Sequence, residues 1–131
     1  MPVATDILNA SEPQLIERAA ALLRLDELVA FPTETVYGLG ANGNSAEAVA
    51  KIFTAKGRPA DNPLILHVPS IEQALLLWQA SSSQIQRARA YAAVHWPGAL
   101  SLVLPAAEFI PTEVTAGLGS VAVRVPSHPI A

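Results

Sequence analysis

Four short apolar runs, Leu28–Phe31, Leu64–Val68, Leu100–Leu104 and Val121–Val125, punctuate a chain of 131 residues. Runs of this length bounded by Pro, Gly and polar residues read as strands. Segments of helical period separate most of them, so the order is mostly helix, strand, helix, strand. That order specifies an α/β fold, a twisted mixed sheet flanked by helices. Strands this continuously apolar are expected to be covered on both faces. Two of them carry an interruption, His67 in one and Arg124 in the other.

Helix signals fill the intervals. Ser11 with Gln14 fits a capping box, Pro13 suits a first turn, and Leu15, Ile16, Ala19, Leu22 and Leu23 share one face. Ser45 is an N-cap for a second helix that buries Ala46, Val49, Ile52 and Phe53 and pairs Glu47 with Lys51 on its outer side. Gly57 and Pro59 stop it. Ser70 with Gln73 opens a third helix, and a fourth runs from about Ser83 to His95, ending at Pro97-Gly98. Residues 105–119 read as connection. Ser127 to Pro129 read as the start of a further helix.

Composition removes several function classes. Charged residues make up 15% and hydrophobic residues 51%, with mean hydropathy +0.35, so the chain is expected to be ordered. The net charge of −3 gives no global attraction to nucleic acid, and any anion site must be local. There is no cysteine, hence no disulfide and no thiolate chemistry. The longest uncharged stretch, Ala90–Ala107 apart from His95, is broken by Pro97, Gly98 and Pro105 and does not read as a membrane span. The N-terminus shows no signal peptide, so the expected location is cytoplasmic.

Phe31–Gly40, FPTETVYGLG, is the stretch most suited to a ligand. Pro32 ends a strand, Thr33, Glu34 and Thr35 follow, and Gly38 and Gly40 permit close approach of backbone to a bound group. An ordinary strand-to-helix loop is the plain alternative. Gly38, Gly40 and Gly43 also spell G-x-G-x-x-G. As a dinucleotide loop this motif lacks a parallel strand ending in an acid about 20 residues on. Asp61 falls near that distance, but in a loop.

Lys56 and Arg58 lie together beside a Gly/Pro-rich loop, with Asn62 following. They either complement the helix dipole or bracket phosphates. His67 in an apolar strand is ordinarily a core histidine bonded to backbone. Arg124 in another needs an anion, since a buried guanidinium without one is too costly. That anion is a protein carboxylate such as Glu34, or a ligand carboxylate. No His, Asp and Glu occur at metal-ligand spacing, so no metal site is expected.

The segments FPTETVYGLGAN (Phe31–Asn42), KIFTAKGRPADNPLILHV (Lys51–Val68), HWPGALSLVLP (His95–Pro105) and VTAGLGSVAVRVPSHP (Val114–Pro129) together resemble the threonylcarbamoyl-AMP synthase (YrdC-like) family. The resemblance covers most of the chain in the family's order. It implies an α/β fold with an open concave cavity. It also implies formation of threonylcarbamoyl-adenylate and pyrophosphate from L-threonine, bicarbonate and ATP, for threonylcarbamoyladenosine modification of tRNA. Magnesium would arrive with the ATP. Some members bind double-stranded RNA, so tRNA, such RNA or a tRNA-modification complex are implied partners. Carried over by motif, Thr35, His67 and Arg124 would hold threonine, with Arg124 on its carboxylate. Lys56 and Arg58 would be catalytic, and Lys56, Arg58, Asn62 and Ser120 would contact ATP.

One departure bears on activity. The family's Ser-x-Asn motif, the second half of its Lys-x-Arg/Ser-x-Asn set, does not occur in these residues. Residues 1–131 are therefore expected to be a YrdC-like domain incomplete at its C-terminus, or a shortened protein without full activity. Two other readings stand beside the synthase. One is the carbamoyl-adenylate domain of hydrogenase-maturation carbamoyltransferases, and the other is a non-catalytic RNA- or nucleotide-binding module.

Overall fold

The structure is a computed structural model that describes residues 4–131. Its elements in chain order are α1 (Leu15–Arg24), β1 (Val29–Phe31), β2 (Gly38–Gly40), α2 (Ala46–Lys56), β3 (Ile65–His67), α3 (Ile71–Leu76), α4 (Ser82–His95), β4 (Leu102–Pro105), α5 (Thr112–Thr115) and β5 (Ser120–Arg124). None of the helices in the described residues is long and apolar enough to cross a membrane.

The strands form two sheets. β5 is central in the larger one, parallel to β3 and antiparallel to β4, so the sheet is mixed as expected. Register then assigns the faces. Leu66, Val123 and Leu102 are neighbours across the three strands, as are Val121 and Leu104. This face meets the helices. The core holds Val49 and Phe53 of α2, Ala74 of α3, Trp78, Ala88 of α4, Ile110, Val114 of α5, Val121 and Val123. Trp78 is fixed within it, its indole N–H donating to the Val121 carbonyl at 3.2 Å.

The opposite face is open in the described residues. It carries Ile65 and His67 of β3, Ser120, Ala122 and Arg124 of β5, and Val103 and Pro105 of β4. Ile65 is 47% exposed and Val103 60%. Strict alternation in β3 and β4, outward residues exposed and inward ones half-buried, is the pattern of a sheet with a single packed side.

The second sheet is a hairpin. β1 and β2 pair antiparallel, Phe31 opposite Gly38 and Val29 opposite Gly40. Gly38–Gly40 is thus a strand and not a loop opening a helix, which removes the dinucleotide reading. The glycines make room for Phe31: a Cβ on Gly40 would lie 2.5 Å from Phe31 Cε1.

Local chemistry explains the other departures. The backbone N–H and the hydroxyl of Ser11 both donate to Asn9 Oδ1 at 3.0 Å, so Ser11 is not a cap and α1 starts later, without a side-chain cap. None of α1 is fully buried; it packs against β1 of the small hairpin sheet. Lys51 does not pair with Glu47. Its ammonium donates to the Asp26 carbonyl at 2.8 Å, while the Ser45 hydroxyl donates to Asp26 Oδ2 at 3.0 Å, tying the turn after α1 to the start of α2. Ala48 is buried where Ala46 was expected. α5 interrupts the predicted connection, and its Val114 carbonyl accepts from Leu64 N–H at 2.9 Å. Ser127–Pro129 forms no helix.

Trp78 is the side chain on which this single packed face converges. Trp78→Ala should therefore cost about 3–5 kcal/mol of unfolding free energy. Urea titration followed by circular dichroism checks this, and a loss below about 1 kcal/mol would contradict the assignment of the core.

Candidate functional site

Parallel register joins two residues that lie 57 apart in sequence: His67 and Arg124 are direct neighbours at the carboxyl ends of β3 and β5. Side chains of register partners share a face, here the open one. Carboxyl ends of parallel strands are where α/β folds bind ligands, because the loops there can carry chemistry while the strands hold position.

Arg124 is the focus. Its side chain is 9% exposed, although it sits on the open face, because the β1–β2 loop lies over it. Nε–H donates to the Gly98 carbonyl at 2.9 Å. Nη2 forms an ion pair with Glu34 Oε1. Glu34 Oε2 in turn accepts from both the backbone N–H and the hydroxyl of Ser127. The protein carboxylate foreseen as one possible partner is therefore present. Nη1 has no protein acceptor among the described residues and is not fully buried.

The loop is shaped by Thr33. Its hydroxyl donates to the Val36 carbonyl at 2.6 Å, accepts from Thr35 N–H at 3.2 Å, and lies 3.1 Å from the Thr35 hydroxyl. These bonds close a tight turn at the tip of the hairpin. The turn sets Glu34 against β5 and leaves Thr35 exposed beside it.

His67 is not a core histidine. It lies on the exposed side of β3, with its ring edge against Phe31 at a centroid distance of 6.0 Å and 81° between planes. Nδ1–H donates to the Ile65 carbonyl at 3.3 Å, which leaves Nε2 of the neutral ring as an acceptor. Desolvation lowers its pKa from 6.5, outweighing the opposing effect of the Ile65 bond. The ring is therefore predominantly neutral at pH 7.

His67 and Arg124 thus stand together at one end of the shelf, and Thr35 is on the loop that brings Glu34 to Arg124. The phosphate set is arranged differently. Lys56 ends α2, Gly57 caps it in the left-handed conformation at φ 61°, and Arg58 N–H returns to the Phe53 carbonyl at 3.0 Å. Neither cation has a protein carboxylate among the described residues. Asn62 lies in the turn before β3. Ser120 starts β5 on the same face as Arg124, about 13 Å along the strand. Two clefts lie elsewhere, one between α4 and β4 and one between α3 and α4, while His67 and Arg124 stand on the open face of the sheet as a shelf. Gly98 and Ser127 were absent from the predicted site, because a backbone carbonyl leaves no mark in side-chain chemistry and Ser127 meets Glu34 across 93 residues of sequence.

Gly98 holds Arg124 through its carbonyl and returns its own N–H to the Val125 carbonyl at 2.8 Å. A Cβ at this position would collide with the carbonyl oxygen of His95. Gly98→Ala should cost about 1–3 kcal/mol, because backbone and not a flexible side chain must move. Thermal melting checks the cost, and an unshifted melting temperature would contradict it.

The family described as telomere recombination (Sua5/YciO/YrdC) matches residues 21–131. The chain is 52% identical over 128 residues to the threonylcarbamoyl-AMP synthase of Bacillus subtilis, covering 97% of this chain and 36% of that protein. It is 49% identical over 131 residues to the synthase of Pyrococcus abyssi, covering 100% of this chain and 38% of that one. The chain thus spans little more than a third of these relatives. Among solved structures, P. abyssi Sua5 complexed with L-threonine superposes with a TM-score of 0.85 at 52% identity, over 91% of this chain and 34% of that one. E. coli YciO shares the fold, with a TM-score of 0.75 at 20% identity over 91% of this chain and 56% of that one. On the mixed sheet, the helices packed against it and the match over residues 21–131, this chain belongs to the Sua5/YciO/YrdC family.

Proposed function

We propose that the chain supplies the threonine shelf and a phosphate-facing part of an L-threonylcarbamoyladenylate synthase. The reaction joins L-threonine and bicarbonate as a carbamate, with loss of water, and transfers AMP from ATP to it with release of pyrophosphate. The product serves threonylcarbamoyladenosine modification of tRNA. The observation that carries the reading is the pairing of His67 with Arg124 at the strand ends. The guanidinium there is nearly buried and keeps one nitrogen without a protein acceptor. The similarity to synthases at 52% and 49% identity, and to the structure of P. abyssi Sua5 complexed with L-threonine, supports it.

Each residue then has a task. Arg124 Nη1 binds the threonine carboxylate, a charge-assisted contact strengthened by the low exposure of the site. His67 Nε2 accepts a proton from the amino acid's amine or hydroxyl, and Thr35 supplies a hydroxyl from the loop. Lys56 and Arg58 act on the phosphates, with Asn62 and Ser120 contacting the nucleotide and magnesium carried on ATP. The carbamate oxygen attacks the α-phosphorus, the bond to the bridging oxygen of pyrophosphate breaks, and cations stabilise the developing charge. Catalysis of this kind rests on positioning and electrostatics.

Lys56 and Arg58 provide the test that separates function from helix capping. Replacing both by Gln should abolish ATP binding in an equilibrium titration. It should leave thermal stability nearly unchanged, because exposed charges at a helix end contribute only about 0.3–1 kcal/mol each. Intact ATP binding with a large loss of stability would refute the assignment. By themselves the 131 residues should release little pyrophosphate from ATP, threonine and bicarbonate, since the family's Ser-x-Asn segment is not among them.

A further inference from the structure

Glu34 is bound from two sides. One oxygen meets Arg124 Nη2, and the other takes both the N–H and the hydroxyl of Ser127. Two roles are open to a carboxylate in this place, and they differ in sign. A carboxylate held by Arg124 alone would be an internal substitute for the ligand's carboxylate and would have to leave before the ligand could bind. A carboxylate with its own anchor stays and shapes the cation.

We infer that Glu34 is a positioning residue for the amino-acid site: it clamps one side of the Arg124 guanidinium so that Nη1 alone is presented to the carboxylate of the substrate. Three observations carry this. The Ser127 bonds fix Glu34 independently of Arg124. Nε is fixed separately by the Gly98 carbonyl, so a guanidinium held at Nε and Nη2 has no rotational freedom left. Nη1 is the remaining donor nitrogen, without an acceptor among the described residues and not fully buried. Permanent neutralisation by Glu34 also lets Arg124 stay in its nearly buried position when no ligand is bound, which a transient ligand carboxylate cannot do.

This clamp makes ligand recognition one-sided. A guanidinium free to turn offers a carboxylate two parallel N–H bonds, whereas this one offers the Nη1 side only. The loop that carries Glu34 also carries Thr35, whose hydroxyl lies 3.1 Å from that of Thr33. The inference rests on the proposed reading of the shelf as a threonine site, but the clamp itself can be measured without any ligand.

The experiment uses the 131-residue chain and its Glu34→Gln and Ser127→Ala variants, with Arg124→Lys to assign the Arg124 Nε–H resonance. In the parent, that Nε–H should exchange slowly with water. In Glu34→Gln it should exchange about tenfold faster or more, and threonine should bind about tenfold more weakly, the equivalent of about 1.4 kcal/mol, with ATP affinity unchanged. Ser127→Ala should shift both readouts in the same direction by a smaller factor, and it decides the matter if Glu34→Gln does not fold. Unaltered Nε–H exchange, or threonine binding that is unchanged or tighter, overturns the inference, tighter binding being the mark of an internal competitor. Absence of threonine binding by the parent would overturn the reading of the shelf, while Nε–H exchange still decides the clamp.

Discussion

A guanidinium on the central strand, nearly removed from water, is the constraint around which this structure is arranged. An unpaired charge at such a position is among the costliest things a fold can contain. Here three separate parts of the chain converge to meet it. The β1–β2 loop brings Glu34, the turn after α4 brings the Gly98 carbonyl, and the segment after β5 brings Ser127 to hold Glu34. Their convergence places the hairpin sheet over the end of the larger sheet. Without it the larger sheet would have no cover at the carboxyl ends of β3 and β5.

The same constraint divides the molecule into a packed side and a working side. Below the sheet, Val121 and Val123 join helices and Trp78 in a dense core. Above it, His67 and Arg124 stand side by side on an open face, with Glu34 brought to Arg124 by the β1–β2 loop. A neutral imidazole acceptor and a fixed guanidinium donor suit a small ligand that carries both a carboxylate and proton-donating groups. An amino acid has both.

Much of this was legible in the residues. The alternating order, the α/β class and most helix boundaries follow from periodicity and capping, as with Ser45 before α2 and Ser70 before α3. Arg124 was legible as a cation needing an anion, and Glu34 as a candidate for it. Long-range geometry was not. Nothing in GLG signals that it is a strand paired with β1, because the reason for Gly40 is the space the Phe31 ring requires. Which residues stand on the open face is set by register, since Ile65 and Val103, apolar but exposed, continue the hydrophobic runs of their strands. Ser11 misled because Asn9, two residues before it, captures its donors.

The claim at the centre is that Arg124 anchors a carboxylate on this shelf. Titration of the chain with L-threonine and with L-threoninamide, which lacks the carboxylate, measures it directly by calorimetry. The account predicts that threonine binds and that the amide binds at least about 30-fold more weakly, the factor corresponding to about 2 kcal/mol for one lost charge partner. Equal affinities for the two ligands would contradict it.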